Sequence, residues 1–142
     1  MSGKAKILVV DDDRDIVEAL RTVLEREGYQ VVAAYDAEQG RAKTEAERPD
    51  LILLDVMMPR ATEGFHFVWK LKQAEDEGLR RIPIIVLTAI HEKTELRFYP
   101  DSGDGTYEAG EYLPVQDFVD KPVAPAQLLE RVQRILKLEG KS

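Results

Sequence analysis

The chain has 142 residues and a net charge of −7, a length that suits one domain around one core. It contains no cysteine, which excludes disulfides and zinc–thiolate sites, and its acidic balance argues against gripping nucleic acid through the phosphates. The opening Met1-Ser2-Gly3-Lys4-Ala5-Lys6 leads into too short an apolar stretch for a signal peptide, and no apolar run approaches the roughly 20 residues of a membrane span, so a cytoplasmic domain without membrane contact is expected.

Taken in chain order, the elements alternate. Strand 1 is predicted over Lys6 to Val10. Helix 1 follows, with Ile16, Val17, Leu20, Val23 and Leu24 along one face and Gly28 suited to its C′ position. Strand 2 is predicted over Gln30 to Ala34. Helix 2 starts near Asp36, where Asp36 and Gln39 resemble a capping box, although alanines alone supply its apolar face. Strand 3 covers Leu51 to Leu54, and helix 3 is expected from about Phe65 to Glu77 on Phe65, Val68, Trp69 and Leu71. Strand 4 is Ile84 to Leu87 and strand 5 Gln116 to Val119. The last helix has Pro125 in its first turn, then Leu128, Leu129, Val132, Ile135 and Leu136. Strict alternation predicts right-handed crossovers and a parallel sheet with helices on both faces, an α/β domain without internal repeat or linker.

One stretch interrupts the rhythm. A further helix is due between Thr88 and Lys121, but Pro100, Gly103, Gly105, Gly110 and Pro114 interrupt any helix beyond about Arg97. Residues 98–114 are therefore expected to lack a regular helix, with Phe98, Tyr99, Tyr107 and Tyr112 as aromatic contact surface. Asp101-Ser102-Gly103-Asp104-Gly105 does not follow EF-hand ligand spacing, and an acidic surface loop is the simpler reading.

Four apolar runs end in polar residues of different chemistry. Ile7-Leu8-Val9-Val10 meets Asp11-Asp12-Asp13, Leu51-Ile52-Leu53-Leu54 stops at Asp55, Ile84-Ile85-Val86-Leu87 stops at Thr88, and Phe118-Val119-Asp120 precedes Lys121-Pro122. Unalternating runs of about four to eight apolar residues fit buried parallel strands, and ligands of open parallel sheets bind outside the strands' carboxyl ends. Carboxylates gathered there repel or take up protons unless a cation joins them. All-oxygen ligation suits Mg²⁺, and a lysine and a hydroxyl alongside suit the oxygens of a phosphoryl group. Each feature has a plainer reading: the aspartates can cap helix 1, which is all that is expected of Asp13, Asp55 can be a turn residue, and Thr88 a strand-end cap. His66 and His91 lack ligand-like spacing.

The ordered set of VVDD at 9–12, LLDVMMP at 53–59, VLTA at 86–89 and FVDKP at 118–122 resembles response-regulator receiver domains, the phosphoacceptor modules of two-component signalling, across nearly the whole chain. The resemblance implies a flavodoxin-like five-stranded sheet of order 2-1-3-4-5, the less aliphatic strands 2 and 5 forming its edges. It implies that Asp55 accepts a phosphoryl group from a histidine kinase or a histidine phosphotransfer protein. Asp12 and Asp55 would ligate Mg²⁺ directly, Asp11 largely through water, and Met57 through its backbone carbonyl. Thr88 and Lys121 would contact the phosphoryl oxygens, the Lys121-Pro122 bond would be cis, and Phe118 would change rotamer with Thr88. Output would be altered protein binding by a stand-alone receiver spanning 1–142, with a downstream protein target.

Two departures from the family pattern stand out. Glu63 occupies the place of a usual glycine eight residues after the acceptor, with Gly64 one later, which reads as a one-residue insertion in Arg60-Ala61-Thr62-Glu63; the irregular 98–114 segment is the second. A rival class is a Mg²⁺-dependent aspartyl phosphatase resembling the haloacid-dehalogenase group, whose D-x-D pattern lies within Asp11-Asp12-Asp13. It gives Asp55 no role and leaves no room for a cap. A pseudo-receiver acting only as a binding module is the third. The side chains two positions beyond the acceptor and beyond Thr88, which flank the approach of water in receivers, are Met57 and Ile90, neither able to orient water by hydrogen bonding. Loss of phosphate from Asp55 is therefore expected to be slow, and Met57→Asn or Ile90→Glu should accelerate it, since a well-aimed polar group is commonly worth a factor of about 10². The decay of acid-labile phosphate checks this; loss within seconds in the unaltered chain would contradict it.

Overall fold

Strand β1 (Lys6–Val10) lies at the centre of the chain's first half, pairing with β2 (Gln30–Ala34) on one side and β3 (Leu51–Asp55) on the other. The computed structural model describes residues 5–55, 61–88, 117–120 and 123–138, and the backbone alone at 61–65, 88, 117, 118, 120 and 138. Strands β4 (Ile84–Thr88) and β5 (Asp117–Asp120) complete a parallel sheet of order β2-β1-β3-β4-β5. The two strands with the least aliphatic sequences are its edges, as expected, and the four- to five-residue apolar runs form its interior because both faces are covered.

Alternation along the strands divides the core in two. Leu8, Val10, Ile52, Leu54, Ile84 and Val86 face α2 (Ala37–Glu47), α3 (Ala61–Lys72) and the short α4 (Glu77–Arg80), meeting Phe67, Val68, Leu71 and Leu79. Ile7, Val9, Leu51, Leu53, Ile85, Leu87 and Val119 face α1 (Arg14–Arg26) and α5 (Pro125–Leu138), meeting Val17, Leu20, Leu24, Leu128, Val132, Ile135 and Leu136. With both faces covered, the runs Ile7–Val10, Leu51–Leu54 and Ile84–Leu87 of the inner strands are apolar at every position.

The helix ends follow their capping chemistry. The Asp13 carboxylate accepts the backbone N–H groups of Asp15 and Ile16, opening α1. At its other end Gly28, at φ 96°, closes a Schellman motif: the N–H of Gly28 donates to Glu25 and that of Tyr29 to Leu24. Asp36 caps α2 through the Gln39 N–H at 2.7 Å, while the Gln39 side chain accepts from the Tyr35 N–H, one residue earlier than the standard capping box.

Helix 3 departs from expectation. It begins at Ala61 instead of Phe65 and ends at Lys72 instead of Glu77. The roughly 1 kcal/mol helix penalty of Gly64 does not stop it, and its buried stripe is Phe67, Val68 and Leu71, with Trp69 partly covered. Bonds from Gln73 to Trp69 and Lys70 and from Ala74 to Leu71 tighten its last turn. Asp76 then caps the separate helix α4 through Gly78. The guanidinium of Arg48 bonds Asp76 at 2.7 Å and holds its carboxyl below the usual range. Strand β5 (Asp117–Asp120) ends one residue beyond the expected Val119, and β3 and β4 each run one residue further than expected, taking in Asp55 and Thr88. The expected irregular segment 98–114 and the cis Lys121-Pro122 bond lie outside the described residues.

Helix α2 packs through absence of side chain. Gly40 is buried, and a Cβ there would stand 3.1 Å from one Val10 methyl and 3.2 Å from the Phe67 ring. Thr44, one turn on, is also buried and donates its hydroxyl to the Gly40 carbonyl at 2.7 Å. Val10 cannot withdraw because it lies in an inner strand. Gly40→Leu should therefore destabilise the chain by about 1–3 kcal/mol through overpacking; a denaturant midpoint equal to the unaltered protein's would show that α2 moves freely off the sheet.

Candidate metal and phosphoryl site

Register sets the site. Val10 of β1 pairs with Leu54 of β3, so the next residues, Asp11 and Asp55, leave the sheet side by side at its carboxyl edge. Asp11 stays in line because its N–H donates to the Ala34 carbonyl of β2 at 3.1 Å. Its carboxylate then accepts the Asp13 N–H at 3.0 Å, a local turn bond that reverses the chain and leaves Asp12 exposed at the rim. Asp55 pairs with Leu87 of β4, putting the Thr88 backbone one residue beyond, and Thr88 pairs in turn with Asp120 of β5.

The outcome is a group of three carboxylates, Asp11, Asp12 and Asp55, with one oxygen from each within 4.8 Å of the others. Asp11 is fully buried and Asp55 is 2% exposed. Two unit charges at about 4 Å repel by roughly 4 kcal/mol at an effective dielectric near 20. A cation shared among the oxygens relieves that repulsion, and a hard divalent ion fits a donor set with neither thiolate nor imidazole. Asp13 stands apart as the α1 cap, which removes the second acid of the D-x-D phosphatase pattern. Of the other expected site residues, Thr88 and Phe118 are placed by their backbones alone, in β4 and β5. Met57, Ile90 and Lys121 lie outside the described residues.

One neighbour was not foreseen. The guanidinium carbon of Arg14 lies 4.0 Å from the centroid of the Tyr35 ring, joining the turn after β1 to the turn after β2. The sequence carries only a faint sign of it, an arginine at the first residue of a helix, where the macrodipole disfavours cations. A cleft of about 680 Å³ lies elsewhere, between α2 and α3, lined by residues including Arg41, Thr44, Phe67 and Leu71. None of the three carboxylates lines it.

The sequence profile of the response regulator receiver domain matches residues 7–133. The chain belongs to that family. The alkaline phosphatase synthesis transcriptional regulatory protein PhoP of Bacillus subtilis is 38% identical over 132 residues, covering 93% of this chain and 48% of PhoP. The chain spans about half the length of the curated relatives it matches. Among solved structures, the chemotaxis response regulator CheY4 of Vibrio cholerae is 30% identical with a TM-score of 0.72, covering 94% of this chain and 99% of that one. The N-terminal domain of a response regulator receiver protein from Methanoculleus marisnigri is 34% identical with a TM-score of 0.63, over 93% and 96% of the two chains. The receiver fold, with its parallel sheet and helices on both faces, is thus shared with these proteins. Among the described residues no helix is long and apolar enough to cross a membrane.

If the receiver's acidic group takes a divalent cation, the ion should raise the unfolding midpoint, by about 2.7 kcal/mol of stability at a hundredfold excess over Kd. Asp12→Asn, at an exposed position, should leave the chain folded and remove most of that rise. An equal rise in the variant would place the ion elsewhere.

Proposed function

We propose that this receiver accepts a phosphoryl group on Asp55 from a phosphohistidine of a histidine kinase or histidine phosphotransfer protein, and signals through altered protein binding. The observation that carries the reading is the convergence of three carboxylates, two of them buried, at the carboxyl edge of a parallel sheet. Buried carboxylates need hydrogen bonds or a positive charge beside them to offset the loss of water. In the transfer, an Asp55 carboxylate oxygen forms a bond to phosphorus while the N–P bond breaks, its electron pair remaining on the imidazole nitrogen. A carboxylate can itself serve as the nucleophile, giving an aspartyl phosphate.

Mg²⁺ fits the carboxylate donor set: Asp12 and Asp55 would hold it, with Asp11 acting largely through water and the Met57 backbone carbonyl as a further oxygen. When bound, it supplies positive charge against the phosphoryl oxygens and the aspartates. Thr88 would offer a hydroxyl and Lys121 an ammonium to the phosphoryl oxygens, the positioning and charge neutralisation that phosphoryl transfer depends on. Phe118 is assigned to the switch with Thr88, through which the modified site would reach a protein target. The net charge of −7 supports protein rather than nucleic acid as the partner of this chain.

Incubation with a small acyl phosphate, with and without Mg²⁺, followed by mass mapping, tests the assignment. Phosphate should appear on Asp55 only when Mg²⁺ is present, and Asp55→Asn should stay folded and take none. Modification of Asp11 or Asp13 would favour the phosphatase chemistry, and no modification under any condition would favour a receiver that serves as a binding module alone.

A further inference from the structure

Arg14 opens α1 directly after Asp12 and Asp13. A cation in the first turn of a helix faces the positive end of the macrodipole, so a nearby carboxylate is its natural partner. The edge offers several, and Asp12 lies only two residues away. Among the described residues the guanidinium nevertheless rests on the Tyr35 ring, 4.0 Å from its centroid.

That ring has a firm mount. Ala34, just before it, accepts the Asp11 N–H at 3.1 Å. The Tyr35 N–H donates to the Gln39 side chain at 3.0 Å, and Asp36, just after, caps α2 through Gln39 at 2.7 Å. The bonds on both sides of Tyr35 fix its backbone to the same sheet edge that carries the carboxylates. Arg14, by contrast, is exposed at the end of a long side chain. Asp12, two residues before it in the chain, belongs to the acidic group.

We propose that Tyr35 is a positioning residue for the cation site: its ring face holds the Arg14 guanidinium on the β2 side of the sheet edge and keeps it from neutralising the acidic group in place of Mg²⁺. The inference rests on the Mg²⁺ reading above. Arginine and metal exclude one another because each would balance the same carboxylates. Tyr35 decides the contest by giving the cation another partner. An exposed cation–π contact shifts such an equilibrium by about two- to fivefold, and that factor should appear in the affinity for the metal.

Calorimetric titration of the whole metal-free chain with MgCl₂ tests the idea through binding alone. Tyr35→Phe, which keeps the ring face, should bind Mg²⁺ as the unaltered chain does. Tyr35→Leu should bind it about two- to fivefold more weakly. Adding Tyr35→Leu to Arg14→Ala should change nothing, since no cation remains to be released. Unchanged affinity in Tyr35→Leu, or a weakening that survives in the Arg14→Ala background, would overturn the proposal; the latter would report a disturbed edge and not a freed arginine. An unaltered chain that takes up no Mg²⁺ would overturn the metal reading and this inference together, a result distinct from normal binding that is indifferent to Tyr35.

Discussion

The pairing of Val10 with Leu54 is the constraint on which the site depends. Because the strands are parallel and in that register, the residues that follow, Asp11 and Asp55, emerge at the same level. A slip of one residue would carry every side chain of β3 to the opposite face of the sheet. Leu51 and Leu53 would then exchange cores with Ile52 and Leu54, which the distinct packing on the two faces resists. The cores thus hold the carboxylates together against their mutual repulsion.

The same architecture separates the duties of neighbouring acids. Asp11 is retained by the sheet through its backbone bond to Ala34, and its side chain turns the chain toward α1. Asp13 spends its carboxylate on the first N–H groups of that helix. Asp12 lies between them, exposed, where a ligand approaching from solvent meets it first. Three consecutive aspartates therefore have three environments, and two of them, Asp11 and Asp12, join Asp55.

Much of this was legible in the sequence because it is written in local patterns. Unbroken aliphatic runs marked β1, β3 and β4, and an abrupt polar residue marked where each leaves the sheet. Gly28 announced the close of α1 and Asp36 the start of α2. What escaped notice depends on contacts between distant segments. The burial of Phe67 follows from how α3 lies on the sheet, with Val10 and the bare Gly40 backbone beside its ring. Apolar spacing pointed to Phe65, Val68, Trp69 and Leu71 and passed over Phe67. The end of α3 at Lys72 and the new start at α4 reflect Asp76, whose carboxylate serves as a cap and as the partner of Arg48, 28 residues earlier. The contact between Arg14 and Tyr35 likewise joins two turns that meet only because β1 and β2 are neighbours.

A crystal grown with Mn²⁺, a close chemical stand-in for Mg²⁺ at oxygen sites, puts the central claim to its most direct test through anomalous scattering. The account predicts an anomalous peak among the carboxylate oxygens of Asp11, Asp12 and Asp55 that disappears when Asp12 is replaced by Asn. A well-ordered edge with no peak there at saturating Mn²⁺, or a peak that ignores those three residues, would contradict it.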